Sequence, residues 1–165
     1  MNRTEKLQIR KLSALDIARA IRQKEITCEE TMMSHVERIK TVNKKINAVS
    51  TLIEDVALDA ARNADKLIAS GKTPPPLLGV PMTVKENIDC EGSATSFGVR
   101  MLKDARPRAD APHIKNLKTA GAIVLGRTNL PDLGMRLHTD NDLYGTTLNP
   151  WDISRTPGGS SGGDA

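Results

Sequence analysis

Residues 77–84, Leu77-Leu78-Gly79-Val80-Pro81-Met82-Thr83-Val84, form a short and almost continuous apolar segment after the proline-rich stretch 72–76. A run of this length is typical of a strand that is buried on both faces of a sheet. Asp110–Thr119 has the apolar spacing of a helix, and Ala122–Gly126 is a second apolar strand. Because strand, loop, helix and strand in this order are the pattern of a sheet flanked by helices, we expect an α/β fold.

The residues before this segment are mainly helical in pattern. Asn47–Ile53 is rich in β-branched residues and predicts one strand. Three stretches have helical apolar spacing with capping signals at their ends: Ser13–Lys24, the residues from Thr27 onward, and Glu54–Ser70 before Gly71. We therefore expect residues 1–76 to form a helical outer layer and residues 77–165 to begin the core sheet and its functional loops. No internal linker divides the chain, which favours a single domain.

Composition excludes several classes of function. The chain has 165 residues, a formal net charge of +4, 27% charged residues and only 2% aromatic residues. Its basic residues are mixed with acids and are not interleaved with aromatics, so we expect no nucleic-acid binding. No apolar run approaches the roughly 18 residues of a membrane helix, and no signal peptide is recognisable at the N-terminus. We expect a cytoplasmic protein without a membrane partner.

The cysteine and histidine residues indicate neither a metal site nor a disulfide framework. Cys28 and Cys90 are far apart and have no ligand spacing, which fits a reducing compartment. His35, His113 and His138 are scattered, without a second ligand at a helical offset. We expect no metal and no cofactor.

The stretch Pro157-Gly158-Gly159-Ser160-Ser161-Gly162-Gly163 is too poor in apolar side chains to fill a core. One interpretation is a flexible linker. A phosphate-binding loop requires a lysine after the glycines, and that lysine is absent. A nucleophile elbow requires a preceding strand and one serine between spaced glycines, which this stretch matches only loosely.

Lys85 stands directly after the strand of residues 77–84, and it allows two interpretations. It can be a lysine at the rim of the core, with its ammonium group in water. Alternatively, a desolvated lysine has a lowered pKa and can act as a base. A serine hydroxyl between that amine and a nucleophile can then relay a proton, in the place of a histidine.

Four motifs in this order resemble the N-terminal part of the amidase signature family, and the similarity covers essentially the whole chain. The motifs are Gly79-Val80-Pro81-Met82-Thr83-Val84-Lys85-Glu86-Asn87, Gly121-Ala122-Ile123-Val124-Leu125-Gly126-Arg127-Thr128-Asn129-Leu130-Pro131, Asn149-Pro150-Trp151-Asp152, and Pro157-Gly158-Gly159-Ser160-Ser161-Gly162-Gly163. The resemblance implies the amidase signature fold, a mixed central sheet flanked by helices, of which residues 1–165 would be the N-terminal portion of a single domain.

The resemblance also implies a Ser–cis-Ser–Lys mechanism of amide hydrolysis. Lys85 resembles the base, and Ser160 resembles the bridging serine, which in the family follows a cis peptide bond, here Gly159–Ser160. Ser161 would support the loop by hydrogen bonding. The turn at Gly134-Met135 resembles a segment that lines the acyl side of the substrate pocket together with Ser160.

Two departures from the family accompany the resemblance. The family's nucleophilic serine lies in a second glycine-rich loop beyond the bridging serine, so it would lie beyond residue 165. We therefore expect the sequence to be part of a longer enzyme or a truncated product, and residues 1–165 alone to be inactive. Glu86 stands where the family often has Asp, a change that preserves the charge.

Three functions remain open on this resemblance. The first is an amidase that converts a small-molecule carboxylic amide to an acid and ammonia or an amine through an acyl-enzyme. The second is the glutaminase subunit of a tRNA-dependent amidotransferase; Asn129-Leu130-Pro131-Asp132 and residues 139–145 favour a general amidase over it. The third is a non-catalytic, amidase-like fragment. The sequence does not determine the oligomeric state, and a homo-oligomer is compatible with it.

Overall fold

The computed structural model describes residues 8–165. The elements that lie wholly within this range are four α-helices, three strands and two short 3₁₀ helices. The helices are Ala14–Arg22 (α1), Cys28–Ile46 (α2), Glu54–Ala69 (α3) and Pro112–Thr119 (α4); the strands are Val49–Leu52 (β1), Pro81–Lys85 (β2) and Ile123–Thr128 (β3); the 3₁₀ helices are Arg100–Leu102 and Asp132–Gly134. The fold is α/β, as the sequence predicts.

The starts of α1 and α2 are fixed by side chains three residues apart. Ser13 Oγ accepts a hydrogen bond from Asp16 N at 3.2 Å. At the start of α2, Thr27 N donates to Glu30 Oε2 and Glu30 N donates to Thr27 Oγ1, both at 3.0 Å. Each arrangement satisfies backbone N–H groups that have no partner inside the helix. The helix starts predicted from the sequence are confirmed.

One compact unit of the chain comprises residues up to Ile39, Ile53–Met82 and Lys115–Leu125. In this unit α3 meets the first turn of α2, where Asp65 accepts from Cys28 N at 2.8 Å and from Glu29 N at 3.0 Å. A carboxylate is favourable there because the N-terminus of a helix carries partial positive charge.

The prediction of a strand from Leu77 is wrong at its N-terminal end, because β2 begins at Pro81. Residues 77–80 form a turn in which Val80 N donates to Leu77 O at 3.0 Å. Gly79 has a φ of +78° in this turn, and a Cβ there would lie 2.4 Å from Cys28 Sγ. A glycine is therefore required both by the left-handed backbone and by the close approach of Cys28.

The second compact unit comprises Lys40–Leu52, Thr83–Ile114 and Gly126–Ala165. Here β1 pairs antiparallel with β3, with Thr51 opposite Arg127. A Cβ on Gly126 would lie 2.7 Å from Thr51 O. The glycine therefore allows β1 and β3 to approach each other closely at this position.

The sheet has three strands in the order β1-β3-β2. β2 and β3 run in the same direction, since Ile123 N donates to Val80 O and Glu86 N donates to Thr128 O. The sheet is therefore mixed. Their carboxyl ends lie at the same edge, which is where α/β sheets carry their sites, and this places Lys85 near the end of β3.

The segment after Pro131 is helical for one short turn. It is a single 3₁₀ turn, Asp132–Gly134, and Met135 follows it. Leu133 interrupts the turn with a φ of +54°, so the backbone cannot continue as an α-helix.

No helix within residues 8–165 has the length and apolar character needed to cross a membrane.

Candidate active site

Lys85, at the end of β2, meets the glycine- and serine-rich loop. Its Nζ donates to Ser160 Oγ at 2.7 Å and to Ser161 Oγ at 2.9 Å. Lys85 and Ser160 are both half-buried, whereas Ser161 is exposed. The interpretation of Lys85 as a base requires a hydroxyl group within hydrogen-bond distance. Ser160, 75 residues away in the chain, supplies that hydroxyl.

The loop that carries Ser160 has no regular secondary structure and is held by hydrogen bonds at both ends. The peptide bond Gly159–Ser160 is cis, in the position that the resemblance implies. Thr139 Oγ1 donates to Gly158 O at 2.9 Å and accepts from Gly162 N at 3.1 Å. Gly163 N donates to the backbone oxygen of Asn129, which follows β3. The backbone on both sides of Ser160 is thus tied to neighbouring segments.

The environment of Lys85 makes its ammonium group easier to deprotonate than it is in water. Burial lowers the pKa of Lys85 below its ordinary value of 10.5, because an ammonium group loses hydration when it is taken out of water. The Asp164 carboxylate raises the same pKa and partly offsets this effect. A neutral amine at this position can accept a proton from the serine hydroxyl that it now contacts.

Arg127, near the end of β3, fixes the backbone that carries Lys85. The side chain is completely buried, with 0% exposure. Its five N–H groups find five acceptors at 2.6–3.1 Å: Val84 O, Lys85 O, Ile88 O, Ala94 O and Ser93 Oγ. Since a guanidinium has five donors and no acceptor, its hydrogen-bonding capacity is fully used.

Glu86, directly after β2, is buried and accepts hydrogen bonds from two serine side chains. It is 1% exposed. Its carboxylate accepts from Ser50 Oγ at 2.7 Å and from Ser96 Oγ at 2.9 Å. The departure from the family's Asp is therefore accommodated inside a buried hydrogen-bonded cluster.

The structure brings some of the predicted substrate-binding residues to Ser160 and leaves another exposed. A Cβ built on Gly134 would lie 3.9 Å from Ser160 Cβ and 3.5 Å from Asn87 Nδ2, so this turn borders the serine loop. Gly134 has a φ of +70°, which a glycine adopts readily. Met135 is 79% exposed, so its side chain is not buried against the lysine–serine pair.

Within residues 8–165, no group of three or more His, Cys, Asp and Glu side chains could hold a metal ion. His35 is half-buried, and its Nδ1 lies 2.8 Å from Thr31 O in the preceding turn of α2. Its contact is within its own helix, as expected for a structural histidine.

Sequence reasoning missed the supporting roles of Arg127 and Thr139. A charged residue at the end of the apolar strand β3 was a usable signal, because a buried arginine must find acceptors for all its N–H groups. Thr139 offered no comparable signal, since its partners are the backbone atoms of Gly158 and Gly162.

The amidase family model matches residues 30–165. Together with the lysine–serine contact, this match defines the class of protein: the chain belongs to the amidase signature family. The assignment expected from the four motifs is confirmed.

Individual relatives agree with this assignment. The chain is 50% identical to indoleacetamide hydrolase of Bradyrhizobium diazoefficiens over 92% of its own length and 29% of that protein. It is 37% identical to a glutamyl-tRNA(Gln) amidotransferase subunit of Caldanaerobacter subterraneus over 96% of its own length and 32% of that protein. A solved structure of fatty acid amide hydrolase matches with a TM-score of 0.92 and 28% identity, over 99% of this chain and 29% of that one. The chain thus spans about a third of the length of its relatives.

Proposed function

We propose that the whole protein containing this chain is an amidase that hydrolyses a small-molecule carboxylic amide to an acid and ammonia or an amine. The observation that carries the proposal is the 2.7 Å contact between Lys85 Nζ and Ser160 Oγ, on a lysine whose pKa is lowered by burial. Such a contact is what a proton relay needs, namely a base and a hydroxyl within hydrogen-bond reach.

In the proposed mechanism the neutral Lys85 amine takes a proton from Ser160. Ser160 in turn takes the proton of a nucleophilic serine, which we expect from the family resemblance to lie beyond residue 165. The nucleophile attacks the amide carbon, and the relay then runs backward to protonate the amide nitrogen. The C–N bond breaks, ammonia or an amine leaves, and the acyl group stays on the nucleophile as an acyl-enzyme. Water releases the acid by the same relay and restores the starting state. The inactivity of residues 1–165 by themselves and the cytoplasmic location stay predictions.

The relative at 50% identity suggests arylacetamides as the first substrates to assay, because that protein is an indoleacetamide hydrolase. A second candidate, the glutaminase subunit of a tRNA-dependent amidotransferase, is supported by the amidotransferase relative at 37% identity. Indole-3-acetamide and glutamine, supplied separately to the whole protein, distinguish these candidates. Release of ammonia from glutamine, but not from indole-3-acetamide, would favour the second candidate.

Two substitutions in the whole protein test the mechanism. We expect Lys85→Ala and Ser160→Ala each to lower kcat/KM by roughly 10²- to 10⁴-fold, the range for loss of a proton-transfer group. Lys103→Ala and Ser70→Ala are matched controls, because both residues are exposed. Turnover of either site variant at the rate of its control would refute the assigned role.

A further inference from the structure

Thr139 is a buried residue whose hydroxyl closes the serine loop. It is 0% exposed. The hydroxyl donates to Gly158 O at 2.9 Å and accepts from Gly162 N at 3.1 Å. These two partners are four residues apart and flank Ser160 on both sides. One side chain therefore bridges the base of the loop that presents Ser160 to Lys85.

The segment before Thr139 also packs directly against the loop backbone. A Cβ on Gly159 would come within 2.7 Å of Arg136 O, and a Cβ on Gly162 would come within 2.2 Å of Thr139 Oγ1. The backbone of Thr139 is itself held, since Thr147 N donates to Thr139 O at 2.9 Å. The bridging hydroxyl consequently sits on a fixed support and leaves no room for side chains at the glycines beside it.

We propose that Thr139 is a positioning residue for Ser160: its hydroxyl holds the loop so that Ser160 Oγ stays within hydrogen-bond distance of Lys85 Nζ. The inference rests on the proposed function, because it gives Thr139 a role only through the relay serine. The hydrogen bonds of the Thr139 hydroxyl are with the loop backbone, at Gly158 and Gly162. Without the bridge, Gly158 O and Gly162 N lose their partner, and the loop relaxes to satisfy them elsewhere.

The test compares Thr139→Val with Thr139→Ser in the whole protein. Valine keeps the shape and removes the hydroxyl, whereas serine keeps the hydroxyl. We expect kcat to fall by about 10- to 100-fold in Thr139→Val, the scale of a displacement near 1 Å, and to recover in Thr139→Ser, with little change in KM. Thr31→Val is the matched control, because Thr31 is equally buried and its hydroxyl bonds only to Thr27 O in its own helix among the described contacts. We expect its kcat to match the parent.

A third variant keeps the test valid if Thr139→Val folds poorly. In Gly162→Ala the threonine remains, but the added methyl group takes the position of its hydroxyl. We expect the same loss of kcat there. A parental kcat in folded Thr139→Val, or a loss in Thr139→Ser equal to that in Thr139→Val, would overturn the inference.

A double variant separates positioning from a general structural role. If Thr139 acts only through Ser160, adding Thr139→Val to Ser160→Ala leaves the residual rate unchanged, because the residue that it positions no longer takes part. A further fall in that background would show an independent role and overturn the inference. Parental activity in Ser160→Ala itself would instead refute the proposed function.

Discussion

Replacing Arg127 by methionine tests how much stability the strand end draws from one buried side chain. Methionine fills a similar volume without N–H groups, so the substitution removes hydrogen bonds and leaves only a small cavity. Five oxygens lose a donor. In the variant, the carbonyl groups at the end of β2 and in the segment after it face an apolar side chain.

The expected loss of unfolding free energy depends on which of the five acceptors keep another hydrogen-bond partner. Lys85 O still accepts from Ile88 N at 3.0 Å. Ile88 O and Ala94 O accept hydrogen bonds from Arg127 and would lose them in the variant. At about 1–3 kcal/mol for each orphaned acceptor, we expect the free energy of unfolding to fall by about 2–6 kcal/mol. A loss of this size is a large share of the about 5–15 kcal/mol that stabilises a typical protein.

The assay is urea unfolding of the whole protein followed by circular dichroism, with the midpoint and the slope both fitted. Arg108→Met is the control, because Arg108 is exposed, and we expect it to stay within about 0.5 kcal/mol of the parent. Arg127→Lys should fall between the two, since lysine keeps the charge but has three donors and no planar fork. An Arg127→Met variant as stable as the control would refute the assigned clamp.

Three further outcomes follow from burial and charge. Asp164→Asn removes a carboxylate that raises the pKa of Lys85, so we expect that pKa to fall. The acid limb of the pH profile of kcat/KM should then move to lower pH. A shift to higher pH would contradict the assignment of Lys85 as the base. Burial, and then the neighbouring Asp65, raises the pKa of the Cys28 thiol to about 12. We therefore expect iodoacetamide at pH 8 to label Cys28 only after the protein unfolds, as measured by peptide mass spectrometry. Rapid labelling of the folded protein would contradict this expectation. Glu86→Gln places an amide NH₂ in front of a serine hydroxyl that now donates, and should lower the free energy of unfolding by about 1–3 kcal/mol in the urea assay; an unchanged value would show that the hydroxyls simply reorient.

The local elements of the fold were predictable where the signal lies within a few residues. The capping pair Thr27 and Glu30 is three residues apart, so the start of α2 can be identified in the sequence before any packing is known. The apolar run from Leu77 carries no such local marker, because apolar residues fill turns against a core as well as strands. Gly79 was the one warning, since a glycine in a strand pattern often marks a bend.

The candidate site was predictable only through the family resemblance. Lys85 and Ser160 are 75 residues apart, and composition and spacing alone left Lys85 with two interpretations. Four linked motifs favour the interpretation of Lys85 as a base, because the family resemblance implies that both residues act in one arrangement. The exposure of Met135 was not predicted, because the resemblance implies a residue that lines the substrate pocket.

Arg127 and Thr139 both bond mainly to backbone atoms, so the sequence does not show which partners they have. Four of the five acceptors of Arg127, and both partners of Thr139, are backbone atoms, which leave no trace in the side chains around them. Arg127 joins the end of β2 to residues as far along as Ala94, so its loss loosens several segments and should appear first in stability. Thr139 bridges a single loop of five residues around Ser160, so its loss disturbs less of the fold and should appear first in turnover. The two variants therefore distinguish the support of the lysine from the support of the serine within one proposed relay.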